Sequence, residues 1–220
     1  GAVGIFDKVQ TLGAQGATNL LTAAGRLDIA QQLDTLLEQL VGLAGTSVEG
    51  RFIFAGDTDQ QVPYTYTAAQ ANPLSAYLGS GSTRVTQHPS GTTFRVALIA
   101  QQIFDSAAPA TNVFSAVQDL SAALKANDSV AIQTAVDGLS AVGEYLNSQL
   151  AFYGTTQNKI ADATDFGKTL QVQLQTRLSN LKDADLTQSI LEMTQGQTQQ
   201  QAALESRARL PRSTLFDYLG

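Results

Sequence analysis

Between Pro109 and Pro211 the chain has no proline, and an apolar stripe runs through most of that stretch with one steady period. Its members are Ile132, Val136, Leu139, Val142, Leu146, Leu150, Tyr153, Ile160, Ala163, Phe166, Leu170, Leu174, Leu178 and Leu181. With Gln157 filling the polar gap, 14 steps cover 49 residues, a mean spacing of 3.5. That is the seam period of a left-handed coiled coil rather than the 3.6 of a straight helix. A helix over these residues would be a rod of roughly 75 Å. Its own backbone cannot bury such a stripe, so a packing partner is required. An ordinary helical bundle core meets that requirement as well as a coiled coil does. Either way the expected fold is mainly α, an elongated coiled-coil-like helical bundle.

Two amino-terminal segments can supply the partner. Ile5 to Gln15 reads as a short helix with Ile5, Phe6, Val9 and Leu12 on one side, which Gly13, Gly16 and the Thr18-Asn19 pair then loosen. From Arg26 to Leu43 the helical pattern is clearer, through Leu27, Ile29, Leu33, Leu36, Leu37, Leu40, Val41 and Leu43. Asp28 suits a first turn and Gly42 and Gly45 suit an end. This helix is the natural mate for the rod.

At Gly50 the texture changes. Arg51-Phe52-Ile53-Phe54 reads as a strand followed by turn residues Gly56 and Asp57. Val62 to Thr67 alternates like a second strand, confined to an edge or an irregular strand by Pro63. Thr83–Thr86 and Thr92–Ile99 read as two more, around Pro89-Ser90-Gly91. Asn112 then caps a helix holding Val113, Phe114, Val117, Leu120 and Leu124, and Asn127-Asp128-Ser129 ends it. The expected organisation is a first helical part (1–49), a small inserted β-rich module (50–111), a second helical part with the long helix (112–185), and a carboxy-terminal helix and tail (186–220). Gly138, Gly143, Gly154 and Gly167 inside the rod each cost about 1 kcal/mol relative to alanine. They are expected to mark close backbone approaches or slight bends.

Chemistry finds little to stand on. His88 is the single histidine, in a turn before Pro89, and with no cysteine it cannot build a common zinc site. Asp57-Thr58-Asp59 alternates oxygens as a calcium loop does but lacks the downstream glycine and glutamate. Gly79-Ser80-Gly81-Ser82 lacks the lysine and the strand–loop–helix setting of a phosphate cradle. Asp137 and Glu144 share a helix face, and a hydrated face explains them. No catalytic residue, cofactor site or metal site is expected, so the chain is not read as an enzyme. A net charge of −6 argues against nucleic acid as partner. No apolar run is long enough for a bilayer span and no signal-peptide pattern opens the chain, so no membrane partner is expected. Cysteine's absence excludes disulfides without fixing a compartment.

What the sequence does offer is uncovered apolar surface. After Asp185 the stripe thins to Leu186, Ile190, Met193 and Leu204, beside the glutamine-rich run Gln195–Gln201. The chain closes on Leu215-Phe216-Asp217-Tyr218-Leu219. Exposed patches of this kind mark partners. Leu170, Leu174, Leu178, Leu181, Leu186, Ile190, Met193, Leu204, Leu215, Phe216, Tyr218 and Leu219 are therefore the candidate partner interface.

Three motifs carry a family resemblance. Gly50-Arg51-Phe52-Ile53-Phe54-Ala55-Gly56, after its amphipathic helix, resembles a "GRYxFAG"-like strand. Leu178-Ser179-Asn180-Leu181-Lys182-Asp183-Ala184-Asp185 resembles "LSxLEDAD" ahead of a glutamine-rich helix. Ser213-Thr214-Leu215-Phe216-Asp217-Tyr218-Leu219 is similar to an "SLxDYL" ending. Together they resemble the flagellin superfamily, on the hook-associated protein 3 (hook–filament junction) branch. The resemblance implies a helical bundle like flagellin's D1 domain and a structural role at the junction of hook and filament. It implies a ring of copies of the chain as partners, with a hook-side junction protein, flagellin, and an export chaperone on the carboxy-terminal helix. It also implies an extracellular place in the bacterial flagellum, reached through the flagellar type III channel without signal cleavage. The family opens with a long amphipathic segment that pairs with the carboxy-terminal helix. This sequence starts at what corresponds to the middle of the helical domain, so that segment is expected to be missing and the chain unable to polymerise. A filament flagellin, or an intracellular coiled-coil adaptor with the β module as its binding head, remain the alternatives.

Overall fold

The computed structural model describes residues 1–68, 70 and 72–209, the side chain of Ala184 excepted. Two units divide the chain, Gly1–Ala163 and Thr164–Gly220. In the first, helix α1 (Ala2–Gly16) buries Phe6, Val9, Gly13 and Gly16. The two glycines do not loosen it as expected; they are contact points. A Cβ on Gly16 would come within 2.7 Å of Leu124, and one on Gly13 within 3.1 Å of Leu120 and Leu139.

Helix α2 (Ala23–Ala44) begins earlier than its apolar pattern suggested, because the Thr22 hydroxyl accepts from the Gly25 N–H at 3.2 Å. That N-cap puts Asp28 in the second turn rather than the first. The apolar face of α2 turns toward helix α4 (Val113–Lys125), and Leu33, Leu37, Leu40, Val117, Leu120 and Leu124 are fully enclosed there. Asp34 links the same pair, accepting from Ser121 Oγ at 2.6 Å and Lys125 Nζ at 2.7 Å.

Between these helices lies the insert. Strands β1 (Ser47–Val48) and β2 (Arg51–Phe52) pair antiparallel around Glu49 and Gly50. Both turn residues have positive φ, 52° and 76°, the type I′ geometry of a two-residue hairpin. The expected strand over Val62–Thr67 is not formed; only an isolated bridge joins Tyr66 to Leu74. Pro63 has no N–H to donate, and Tyr64 turns inward instead, against Tyr77 and Phe114 with ring centroids 5.4 and 5.3 Å away. Strands β3 (Val85–Gln87) and β4 (Thr93–Arg95) flank the expected Pro89-Ser90-Gly91 turn. The strand expected to continue to Ile99 stops at Arg95, and the chain enters a short helix, α3 (Ala100–Phe104). Ile103 and Phe104 are buried, and Phe104 stacks on Phe114. The base of the insert is clasped by a 2.8 Å hydrogen bond from the Ala100 N–H to the Phe54 carbonyl.

A 3-10 turn (Pro109–Thr111) precedes α4, whose expected cap is in place: Asn112 Oδ1 accepts from the Ser115 N–H at 2.9 Å. At the other end Asn127 adopts φ 54°. The Asn127 and Asp128 amides donate to the Leu124 and Ala123 carbonyls, which is the Schellman pattern. Asp128 in the same step caps helix α5 (Ser129–Ala208), accepting from the N–H groups of Val130 and Ala131. One side chain and one left-handed residue thus separate two helices. Arg26, buried, fastens this turn by donating to Asn127 Oδ1 at 2.7 Å.

In the first unit α5 rests on α1 as well as on the α4 side of the core: Gln10 Nε2 donates to the Leu139 carbonyl at 3.2 Å. The Tyr145 hydroxyl donates to the Gln102 carbonyl and the Tyr153 hydroxyl accepts from the Leu98 N–H, tying the insert's exit to α5. Of the rod glycines, Gly143 meets a neighbour, with Gln10 and Phe6 near where its Cβ would stand. No described residue lies within 4 Å of a Cβ on Gly138 or Gly154, so close packing among the described residues does not explain those two.

Candidate assembly surface

The stripe that marked α5 in the sequence has two fates. Ile132, Leu139, Val142 and Leu146 are buried in the first unit's core, with Val136 and Tyr153 partly covered. In the second unit Leu170, Leu174, Leu178 and Leu181 are open to solvent, and so are Leu186, Ile190, Met193 and Leu204. Leu215, Phe216, Tyr218 and Leu219 lie outside the described residues.

Helical geometry groups these exposed residues in a way their order along the chain conceals. At 100° per residue, Leu170, Leu174, Leu178 and Leu181 lie within about 80° of each other. The five-residue step from Leu181 to Leu186 breaks the register. Leu186, Ile190, Met193 and Leu204 then cluster on a second face, centred about 130° around the helix from the first. Val172, itself exposed, falls on this second face. The candidate residues therefore form two apolar faces rather than one. Along the first, Gly167 and the gaps between Leu170, Leu174 and Leu178 leave a shallow groove floored by Gln171 and Gln175. The Lys168–Asp165 pair at 3.0 Å is exposed on both sides. Such a pair contributes little.

The residues weighed for chemistry are occupied structurally. His88 Nδ1 lies 2.7 Å from Ser90 Oγ and accepts the Ser90 N–H at 3.0 Å, closing its own turn. Asp59, nearly buried, pairs with Arg51 at 3.2 Å and with Arg84, while its backbone carbonyl accepts from Phe52. Gln60's amide and the two guanidiniums hold its carboxyl below the usual carboxylate range. Asp59 is thus a tie between β2 and the chain entering β3, not a calcium ligand. Gly79–Ser82 presents carbonyl oxygens rather than amides: a Cβ on Gly56 (φ 67°) would overlap the Ser80 carbonyl oxygen and lie 2.6 Å from that of Ser82. A phosphate cradle needs the opposite polarity. Among the described residues no group of three or more metal-ligating side chains converges, and no helix is long and apolar enough to cross a membrane.

Over residues 132–219, most of α5 and the tail, the sequence matches the family described as the bacterial flagellin C-terminal helical region. The match covers less than half of the chain. Solved structures place the rest of the fold. FlgL from Xanthomonas campestris superposes with a TM-score of 0.68 at 16% identity, covering 81% of this chain and 90% of that one. A flagellar hook-associated protein-3 from Legionella pneumophila gives 0.70 at 12% identity, covering 83% and 89%. Bacillus cereus FlgL gives 0.53 at 18% identity, covering 77% and 80%. No curated protein sequence matches the chain. The chain has the hook-associated-protein fold, with helices flanking a small two-sheet insert.

Proposed function

We propose that this protein is a structural axial subunit of the bacterial flagellum, joining hook to filament. One observation carries the reading: the flagellin C-terminal helical region bears two apolar faces that its own unit leaves open. A helix with two such faces is built to be covered from two sides, as a subunit is inside a packed assembly. The occupants on this reading are neighbouring copies in a ring, with the hook-side junction protein and flagellin before and after it. During export the chaperone would shield the same faces, and the chain would pass the type III channel unfolded, without signal cleavage. Folding on arrival needs no disulfide, since the chain has no cysteine. The partition into a helical body (1–49 and 112–185), an inserted module (50–111) and a carboxy-terminal helix (186–220) belongs to the same reading. So does a structural rather than enzymatic role, supported by the turn and ion-pair duties of His88 and Asp59.

The match to a flagellin region favours one competitor, the filament subunit itself. Deleting the gene separates the two. Finished hooks without filaments, with monomeric flagellin shed into the medium, is the expected result. Loss of flagellin from the cells would make this chain the filament subunit. Normal, motile filaments would remove both readings and leave the adaptor.

A further inference from the structure

In the first unit, helices α4 and α5 leave between them a groove of about 590 Å³. Its bed is made of small residues, Ala122, Ala126, Ala131, Ala135 and Gly138 among them. The charged residues lining it are Asp119 and Asp128, both exposed. No basic side chain lines it, and Lys125, nearby on α4, is held by Asp34. The groove is thus apolar in its bed and acidic at its rim. Small walls let a neighbouring helix come close and seat large side chains between them.

The second unit carries the complement. Leu170, Leu174, Leu178 and Leu181 form an exposed ridge about 17 Å long, the same rise as from Ala131 to Val142 along the groove. Between Phe166 and Lys182 every charged residue is basic: Lys168, Arg177 and Lys182. Arg177 stands about 55° to one side of the ridge and Lys182 about 85° to the other, so a cation borders each flank. The second apolar face has the wrong sign. From Asp183 to Glu205 every charge is acidic, and an acidic rim repels it.

We infer that the leucine ridge of one copy docks in the alanine groove of a second copy, with Arg177 and Lys182 facing Asp119 and Asp128. The contact rests on the assembly reading above and names which surface of the neighbour is used. It joins two different patches, so it is heterologous: each copy gives a ridge and receives one. Such a contact builds a ring where its rotation closes and an open row where it does not. The open space beside Gly138 lies where the incoming helix would sit. The second apolar face is left for a different occupant.

Because the chain has no cysteine, single introduced cysteines report the contact directly. Full chains carrying Thr134→Cys in the groove and Leu174→Cys on the ridge, both exposed positions, are mixed and oxidised. The mixed disulfide should exceed either self-linked product, and the product of Thr134→Cys with Ile190→Cys, by about tenfold or more. Asp119→Lys on the groove chain, or Arg177→Glu with Lys182→Glu on the ridge chain, should each cut its yield about tenfold. Combining the reversed chains should recover part of the loss. A mixed product no more abundant than the self-linked ones overturns the inference, as does a yield indifferent to charge reversal. An excess of self-linked Leu174→Cys overturns it too, because ridge would then pair with ridge. The same cysteine pair in sheared flagella separates this contact from the junction role. Chains that enter flagella without forming the mixed disulfide keep the role and lose the contact. A mixed disulfide in solution from a chain that never enters flagella keeps the contact and removes the role.

Discussion

The two parts of α5 obey one sequence rule and end in opposite surroundings. Leu139 and Leu178 are both leucines on the same 3.5-residue seam, yet Leu139 is 2% exposed and Leu178 is 56% exposed. The seam's period states which side of a helix is apolar; it says nothing about what covers that side. Over Ser129–Leu146 the cover comes from the same chain, through α1 and the α4 side of the core. Over Thr164–Arg209 the stripe residues from Leu170 to Leu204 stay open to solvent, and the register break after Leu181 divides them between two faces.

The largest test of that contrast is a pair of truncations. Leu139→Ala should cost about 3–5 kcal/mol in the free protein, from lost burial plus the cavity left behind. Leu178→Ala should change stability by about 0.5 kcal/mol or less. Denaturant unfolding followed by far-UV circular dichroism reads both. Equal losses would mean the distal faces are covered within the free chain, and the contrast would collapse. Joint Leu174→Asp and Ile190→Asp changes, one on each face, should leave the unfolding midpoint unmoved and abolish incorporation into flagella.

Next in size is the turn that starts α5. Asn127→Ala should cost about 1–2 kcal/mol, because alanine is disfavoured at φ 54° and Arg26 loses its acceptor. Asp128→Ala should cost about 1 kcal/mol through the lost N-cap. Both losses should appear in the unfolding of the first unit, while hydrogen exchange in the distal helix stays unchanged.

Alkaline pH separates the two parts without mutation. Burial raises the pKa of Tyr64, Tyr145 and Tyr153, and the Asp105 carboxylate adds to the shift at Tyr64. A raised tyrosine pKa means the folded state prefers the neutral phenol. Its contribution is complete below about pH 10, the ordinary tyrosine value, and fades as pH climbs above it. Residues 164–209 contain no tyrosine. Unfolding midpoints of the first unit should therefore fall above pH 10, with the distal segment's helicity, read by hydrogen exchange, following no such titration. The smallest effect is a gain. Gly138→Ala and Gly154→Ala meet empty space and should each stabilise by up to about 1 kcal/mol. If either blocks assembly while raising stability, that glycine is a contact between subunits.

How far the sequence could be read follows from the range of the forces involved. The helices α1, α2, α4 and α5 announce themselves because each repeats an apolar face over three or more turns. Strands β2, β3 and β4 overlap segments whose aromatic and β-branched residues and turns mark them, though each is only two or three residues long; β1, Ser47–Val48, carries no such signal. Leu98-Ile99 looks like strand by composition, yet burial of Ile103 and Phe104 against α4 selects a helix just after it. The role of Asp59 depends on arginines 8 and 25 residues away, so its local spacing showed only an incomplete calcium-like alternation and nothing of the ion pairs. Distal stripe residues were legible one by one. Their division into two faces needed the register across Leu181–Leu186.

The clasp between Ala100 and Phe54 has a consequence for how this chain can vary. Because the 54–100 excursion is cinched at its root, the helical body is indifferent to what happens at its far tip. That tip is the His88–Thr92 turn, sealed by its own bonds from His88 N–H to the Thr92 carbonyl and from Gly91 N–H to the His88 carbonyl. Lengthening a loop twofold costs only about 0.6 kcal/mol. An epitope spliced after Ser90 should thus leave the body's melting temperature nearly unchanged, so the turn is a place to display foreign sequence.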